Sequence, residues 1–202
     1  MVYLMKMQTS MNIIWSEFIV WDLSLSKTTE LEILNGLSRL NHSVELIALR
    51  SKEMPKENAK FRFTLIPLRH VRLLTPILFT FLQSLLLSLR LAFSKIDFLI
   101  SEPGVNILGF FPVLAIGKLK KTKFILDIRS PPVDVSSNFL WNLEKISFDL
   151  SVNIAKKFFD GTTIITDQMK NDFCHNYNIP KEKVGTWSSG VSSSVFNPDL
   201  YS

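Results

Sequence analysis

Asp127 and Arg129 are the residues whose types and positions most suggest chemistry. They close a short apolar run, Phe124, Ile125 and Leu126, and stand just before Pro131 and Pro132. A run that short, with a lysine cluster before it and helix-breaking prolines after it, reads as a buried strand. The charged pair then sits at the strand's C-terminal end, where the loops of an open α/β sheet converge over a ligand crevice. Two readings stay open at this stage: the pair contacts a ligand, or its members bind each other or cap the next helix. Ser16, Glu17 and Ser101 join them as candidates because they too fall at strand ends. None of the five has an acid or base role that the sequence assigns, so the catalytic residues stay unknown.

Much familiar chemistry is excluded by inspection. The chain has no G-x-x-x-x-G-K-[ST] phosphate loop, no G-x-G-x-x-G after its first strand, no G-x-S-x-G elbow and no H-E-x-x-H. His42, His70 and His175 are scattered, and no pair has the spacing of metal ligands. Cys174 is alone, which rules out an internal disulfide or a multi-cysteine metal site and is compatible with a reducing cytoplasm. The expectation is therefore no metal and no cofactor.

The elements that must position these residues follow from hydrophobic period and breakers. Strands are expected at Asn12–Ser16, Val44–Leu49, Phe61–Ile66, Phe98–Ser101, Phe124–Leu126, Thr162–Ile165 and Val184–Trp187. Helices are expected over Lys27–Leu40, from Leu73 to Phe93, over Asn106–Leu119 and Phe139–Phe159, with a last short one capped by Thr166 or Asp167. In the first helix Leu31, Leu34, Leu37 and Leu40 form the inner side; in the fourth, Leu143, Ile146, Leu150, Ile154 and Phe158 follow helical spacing. Glu17–Ser26 is read as a loop. Strand and helix alternate throughout, and parallel strands need crossover helices. The fold class is thus α/β: a Rossmann-like, doubly wound, mostly parallel sheet with helices on both faces, and with Phe124–Leu126 near its centre and fully buried. Residues 1–10 read as an N-terminal extension, 11–187 as the domain and 188–202 as linker.

Charge is unevenly spread. The net charge is +5, yet Met1–Leu126 carries 16 basic and 9 acidic residues while Asp127–Ser202 carries 7 and 9. No recognisable motif interleaves the basic residues with stacking aromatics, so nucleic acid is not the expected partner. An anionic membrane surface explains the basic front better. Leu73–Leu89 is free of charge and falls just short of the roughly 20 apolar residues of a transmembrane span. Thr80, Ser84 and Ser88 give it one weakly polar stripe. The helix is either buried beneath the sheet or dips an apolar face into a membrane, with Arg69, Arg72, Arg90 and Lys95 on the headgroups.

The last stretch is more specific. Thr166, Met169, Ile179, Pro180, Lys183, Val184, Gly190, Val191, Phe196 and Pro198 follow, in order, the pattern that closes the N-terminal domain of retaining GT-B glycosyltransferases of family four, and the chain resembles that family. The likeness extends back through Asp127, Asp97 and the helix-to-strand segment Lys27–Val44, so it covers nearly everything from Met11. It implies one half of a GT-B fold, in which the acceptor binds this domain and a nucleotide sugar binds a second, C-terminal domain. Transfer would retain anomeric configuration without a metal, the leaving phosphate being stabilised by positive groups and helix N-termini. Two departures stand out. The segment Glu17–Ser26 has no glycine where the family has a glycine-rich loop, and the family's acidic E-x7-E segment and phosphate grip belong to the second domain.

The expected function is accordingly the acceptor-binding half of a glycosyltransferase, acting on a glycan or lipid-linked acceptor and inactive without a donor domain or chain. The expected location is the cytoplasm, with peripheral contact at the inner face of the membrane. A non-catalytic binding module and a peripheral membrane adaptor derived from such a domain stand beside it as alternatives.

Overall fold

The computed structural model describes residues 9–20, 27–50, 60–68, 74–132 and 139–187. Residues 1–8 of the expected extension, the linker with its Gly190–Pro198 pattern, and Arg69 and Arg72 lie outside the described residues. Seven strands form one sheet: β1 (Asn12–Val20), β2 (Ser43–Leu49), β3 (Arg62–Ile66), β4 (Phe98–Ser101), β5 (Lys123–Ile128), β6 (Gly161–Ile164) and β7 (Val184–Thr186). Their order is β3-β2-β1-β4-β5-β6-β7 and every pairing is parallel. The winding direction reverses between β1 and β4, so the crevice outside the C-terminal ends of these two strands is the topological switch point.

Side chains alternate across the sheet and divide the core in two. On one face Ile13 and Trp15 of β1, Val44 and Leu46 of β2 and Ile100 of β4 pack with Leu34 of α1 (Lys27–Arg39). On the other face Ile14, Ile47, Leu99, Phe124, Leu126 and Ile164 pack under α2 (Leu74–Phe93), α3 (Phe110–Leu119), α4 (Phe139–Phe158) and α5 (Asp167–Tyr177). Helices thus lie on both faces, but unequally. This corrects one expectation: Phe124 and Leu126 are fully buried, whereas Ile125, which points to the α1 face, is only half-buried. Leu40 likewise is exposed, because α1 ends one residue earlier.

The loops that feed β2, β5 and the approach to β7 are built alike. After α1, α3 and α5 the chain turns through a left-handed residue: Asn41 (φ 65°), Lys121 (φ 62°) and Asn178 (φ 50°). The next N–H then reaches back into the last turn, from His42 to Leu37, Thr122 to Gly117 and Ile179 to Cys174. These bonds satisfy carbonyls that a helix end leaves orphaned. Asparagine tolerates the left-handed region; lysine does so at a cost. The N-terminus of α5 is closed as expected, with the Thr166 hydroxyl accepting from the Met169 N–H at 3.1 Å.

The polar stripe on α2 has a structural use. A Cβ on Gly109, the last residue of the 3-10 turn Val105–Gly109, would lie 2.7 Å from the Thr80 carbonyl oxygen and 3.2 Å from the Ser84 Cβ. Small residues on both sides let the backbones approach, and a Cβ on Gly117 would strike the Phe124 ring. We expect Lys121→Gly to stabilise the domain by about 1 kcal/mol by relieving its left-handed backbone, a change readable as a higher urea midpoint with an unchanged slope. An equal or lower midpoint would refute the strain.

Candidate functional site at the switch point

Strand register assembles the site. Ser16 of β1 pairs with Ser101 of β4, and Ser101 pairs with Leu126 of β5. The residues one step further, Glu17, Glu102 and Asp127, therefore form a row across three neighbouring strands, and Asp127 is paired with Thr163 of β6. Because side chains alternate, this row shares the α1 face with Trp15, Ile100 and Ile125 beneath it. The β1–β2 register shifts between Ser16 and Val20, so Glu17 starts an irregular strand end instead of the expected loop.

Arg129 folds back onto this row and ties it together. Its Nε lies 3.0 Å from Asp127 Oδ2 and 3.4 Å from Glu102 Oε1, its Nη1 lies 3.3 Å from Glu30 Oε1 in the first turn of α1, and its guanidinium sits 5.2 Å from the centre of the Trp15 ring. Asp127 Oδ1 accepts from the Thr163 hydroxyl at 2.6 Å and from Trp187 Nε1 at 3.1 Å. Trp187 in turn stacks on Trp15 with ring centres 5.3 Å apart. Of the two sequence readings of Asp127 and Arg129, the mutual pairing is what the structure shows, and it lies at the C-terminal edge of the sheet beside the switch point.

The cluster is over-acidic for its burial. Among the described residues Glu30, Glu102 and Asp127 share one guanidinium, with Glu17 beside Glu30 and Glu102, and Glu17, Glu30 and Asp127 have at most 1% of their surface exposed. Neither oxygen of Glu17 meets a donor among the described residues. Burial, reinforced by Glu102 and Glu30, pushes the Glu17 carboxyl well above the usual range. Burial and Glu30 push Glu102 up to about 8, against the pull of Arg129. Asp127 is also raised by burial, with its hydrogen bonds from Thr163, Arg129 and Trp187 pulling the other way. Physically, the interior cannot hold so many like charges around one cation, so protons stay on.

The remaining candidates separate. Ser16 is fully buried on the opposite face, where its hydroxyl accepts from Gln83 Nε2 at 2.6 Å, and Ser101 is buried with its hydroxyl directed to the Glu102 carbonyl at 3.2 Å. Neither joins the row. Arg90 pairs with Glu45 of β2 at 3.1 Å and Lys95 pairs with Asp97 at 3.2 Å. Glu30, Glu102, Thr163, Trp15 and Trp187 were not among the expected site residues. The signal for Glu102, Thr163 and Trp187 is register, which requires the strand order; Glu30 comes from the first turn of α1 and Trp15 from within β1. Glu17, Glu30 and Glu102 bring ligand oxygens within 4.8 Å of one another, the donor type and spacing a hard cation takes.

No protein-family model and no curated protein matches the sequence. Solved structures do match in shape. A glycosyltransferase from Rickettsia africae aligns with TM-score 0.60 and 11% identity over 95% of this chain and 46% of its own. The catalytic domain of starch synthase IV from Arabidopsis thaliana gives 0.64 and 10% over 92% and 53%. The chain has the fold of one half of a GT-B glycosyltransferase. UDP-GlcNAc 2-epimerase from Methanocaldococcus jannaschii shares that fold, at TM-score 0.52 and 14% identity over 88% of this chain and 45% of its own. The chain thus spans about half the length of the structures it resembles.

The raised carboxyls fix a sign for pH dependence. The folded state keeps a proton on Glu102 up to about pH 8, whereas the unfolded chain releases it near 4.5. Stability from this group is full below the lower value and is lost as pH rises through the higher one. The part of the unfolding free energy due to Glu102 should therefore fall between about pH 5 and pH 8, by at most about 1.4 kcal/mol per unit. Glu102→Gln should flatten that fall and raise stability at the alkaline end. A denaturation series showing the same slope in both proteins would contradict the assignment.

Proposed function

We propose that this domain is the acceptor-binding half of a glycosyltransferase, of the retaining family-four type that its ordered Thr166–Pro198 series resembles. The observation that carries the proposal is the row Glu17–Glu102–Asp127, with Arg129 across it and the Trp15–Trp187 stack beside it, at the switch point of a GT-B half. Carboxylates accept hydrogen bonds from hydroxyls, the protonated members of the row can also donate, and an indole face packs against the apolar side of a sugar ring. That is the chemistry of a glycan, or of the glycan part of a lipid-linked acceptor.

The donor side is assigned elsewhere. Phosphates need converging N–H groups or cations, and here the guanidinium at the crevice is already committed to Asp127, Glu30 and Glu102. A nucleotide sugar would repel this acidic edge unless a second domain or chain supplied the positive groups. Transfer then depends on holding donor and acceptor in one geometry, an advantage that reaches about 7–11 kcal/mol when complete. Within the fold, what favours transfer over epimerisation is the sequence series, since the fold hosts both.

Calorimetric titration of the chain alone with UDP- and GDP-sugars should show no binding, and transfer should appear only when a GT-B donor domain is fused or added. In that assembly Asp127→Asn should lower kcat/KM about tenfold or more while the fold, read by circular dichroism, is kept. Micromolar binding of a nucleotide sugar by the chain alone would overturn the division of labour. Acceptor binding without transfer in any assembly would favour a non-catalytic binding module.

A further inference from the structure

The layer formed by α2, α3 and α4 has an outer face of unusual composition. On α2, Leu74, Ile77, Phe81, Leu85, Leu89 and Phe93 all point outward, with Phe81 66% and Phe93 85% exposed. Only 22% of the most apolar stretch of this helix is buried, far less than the core helix of a soluble domain shows. Its inner side is filled separately by Phe79, Gln83, Leu87 and Leu91. The apolar surface continues across Leu108 and Phe111, and Phe111 meets Phe158 of α4 edge to face at 6.2 Å. On α4 the expected stripe divides: Leu143, Ile146, Leu150 and Phe158 are exposed, whereas Ile154 is buried with Phe148, Val152 and Ala155. Single exposed leucines are ordinary, but a continuous apolar sheet over three helices marks an interaction surface.

The charge around this face names the partner. The descent from α2 and α3 to the strands brings Lys95, Lys118, Lys120 and Lys121 to one end of the layer, where α4 adds Lys156 and Lys157. The acids at that end are Asp97, paired with Lys95, and Asp160, paired with Lys118 and Lys123. Between Leu74 and Phe93, and between Val105 and Leu119, there is no acid at all. The other acids on the layer, Glu144 and Asp149, lie on α4, where Asp149 accepts from the Tyr177 hydroxyl. An apolar face with lysines in excess at one end fits an anionic bilayer, whose acyl region takes the side chains and whose headgroups take the lysines.

We propose that the outer face of α2, α3 and α4 lies on an anionic membrane, with Phe81, Leu85 and Phe111 in the acyl boundary and Lys120 and Lys121 at the headgroups. This differs from the reading of sequence alone, which placed Arg90 at the headgroups: its guanidinium is turned toward β2 and Glu45. The proposal does not rest on glycosyl transfer, and its test contains no sugar.

Cosedimentation of the full chain with phosphatidylcholine vesicles, with and without phosphatidylglycerol, should show retention by the anionic vesicles at low salt and its loss at high salt, where screening shortens to about 3 Å. Phe81→Gln with Leu85→Gln, and separately Lys120→Glu with Lys121→Glu, should each lower partitioning about tenfold, since burying two such side chains even in part is worth more than about 1.4 kcal/mol. A second readout needs no variant: a diazirine in the acyl chain should label peptides of α2 and α3 and spare those of α1 and α5. Failure of anionic vesicles to retain the chain, equal partitioning by the variants, or uniform labelling would overturn the proposal. So would a solution dimer that the Phe81/Leu85 variant dissolves while vesicles are ignored.

Discussion

The guanidinium of Arg129 is the contact on which the crevice depends. It touches Asp127 on its own strand, Glu102 after β4 and Glu30 in α1, and lies over Trp15 of β1. Remove it and several carboxylates remain buried in a low-dielectric edge with no cation among them, a far costlier state than any surface ion pair could offset. One side chain therefore joins the two sides of the switch point and sets the spacing of the row that would face a ligand. Its position just beyond β5 and just before Pro131–Pro132 explains why it is available: the prolines keep the chain from continuing as sheet, and the side chain turns back over the edge.

The molecule is also two-sided in a useful way. The α1 face carries the acid row and its aromatic stack, and it is the thinner side of the sheet, with Ile125 and Trp187 left partly open. The opposite face is thick with helices whose outer surfaces are apolar and rimmed by lysine. A domain lying on a membrane by the second surface would hold the first away from the lipid with its strand ends lateral. The proposed glycosyl transfer and the proposed membrane contact rest on different residues and are tested separately.

The order of elements was legible in the sequence because each strand is a short β-branched or aromatic run and each helix a longer periodic one, separated by Asn, Gly or Pro. Strand β4, Phe98–Ser101, begins and ends where its pattern says. Asp127 and Arg129 were legible as a charged pair at the C-terminal edge of the sheet because they break an apolar run there. Glu102 and Trp187 were not legible, since their meeting depends on the register of strands far apart in sequence, and periodicity carries no register; nor was Glu30, which the packing of α1 brings in. The helical stripe on α4 misleads for a related reason: apolar period reports that a face exists and not what covers it. Ser16 and Ser101 show the same limit, because one step along a strand moves a side chain to the other face.

The central claim is that a buried, over-acidic row held by Arg129 occupies the switch point, and carboxyl-carbon NMR of the 13C-glutamate-labelled chain through a pH titration tests it most directly. The account predicts one glutamate carboxyl carbon titrating near pH 8, with a second still protonated well above the usual carboxylate range, and loss of this pattern in Glu102→Gln for the first of them. Every glutamate carbon titrating near its ordinary value of 4.5 would contradict it.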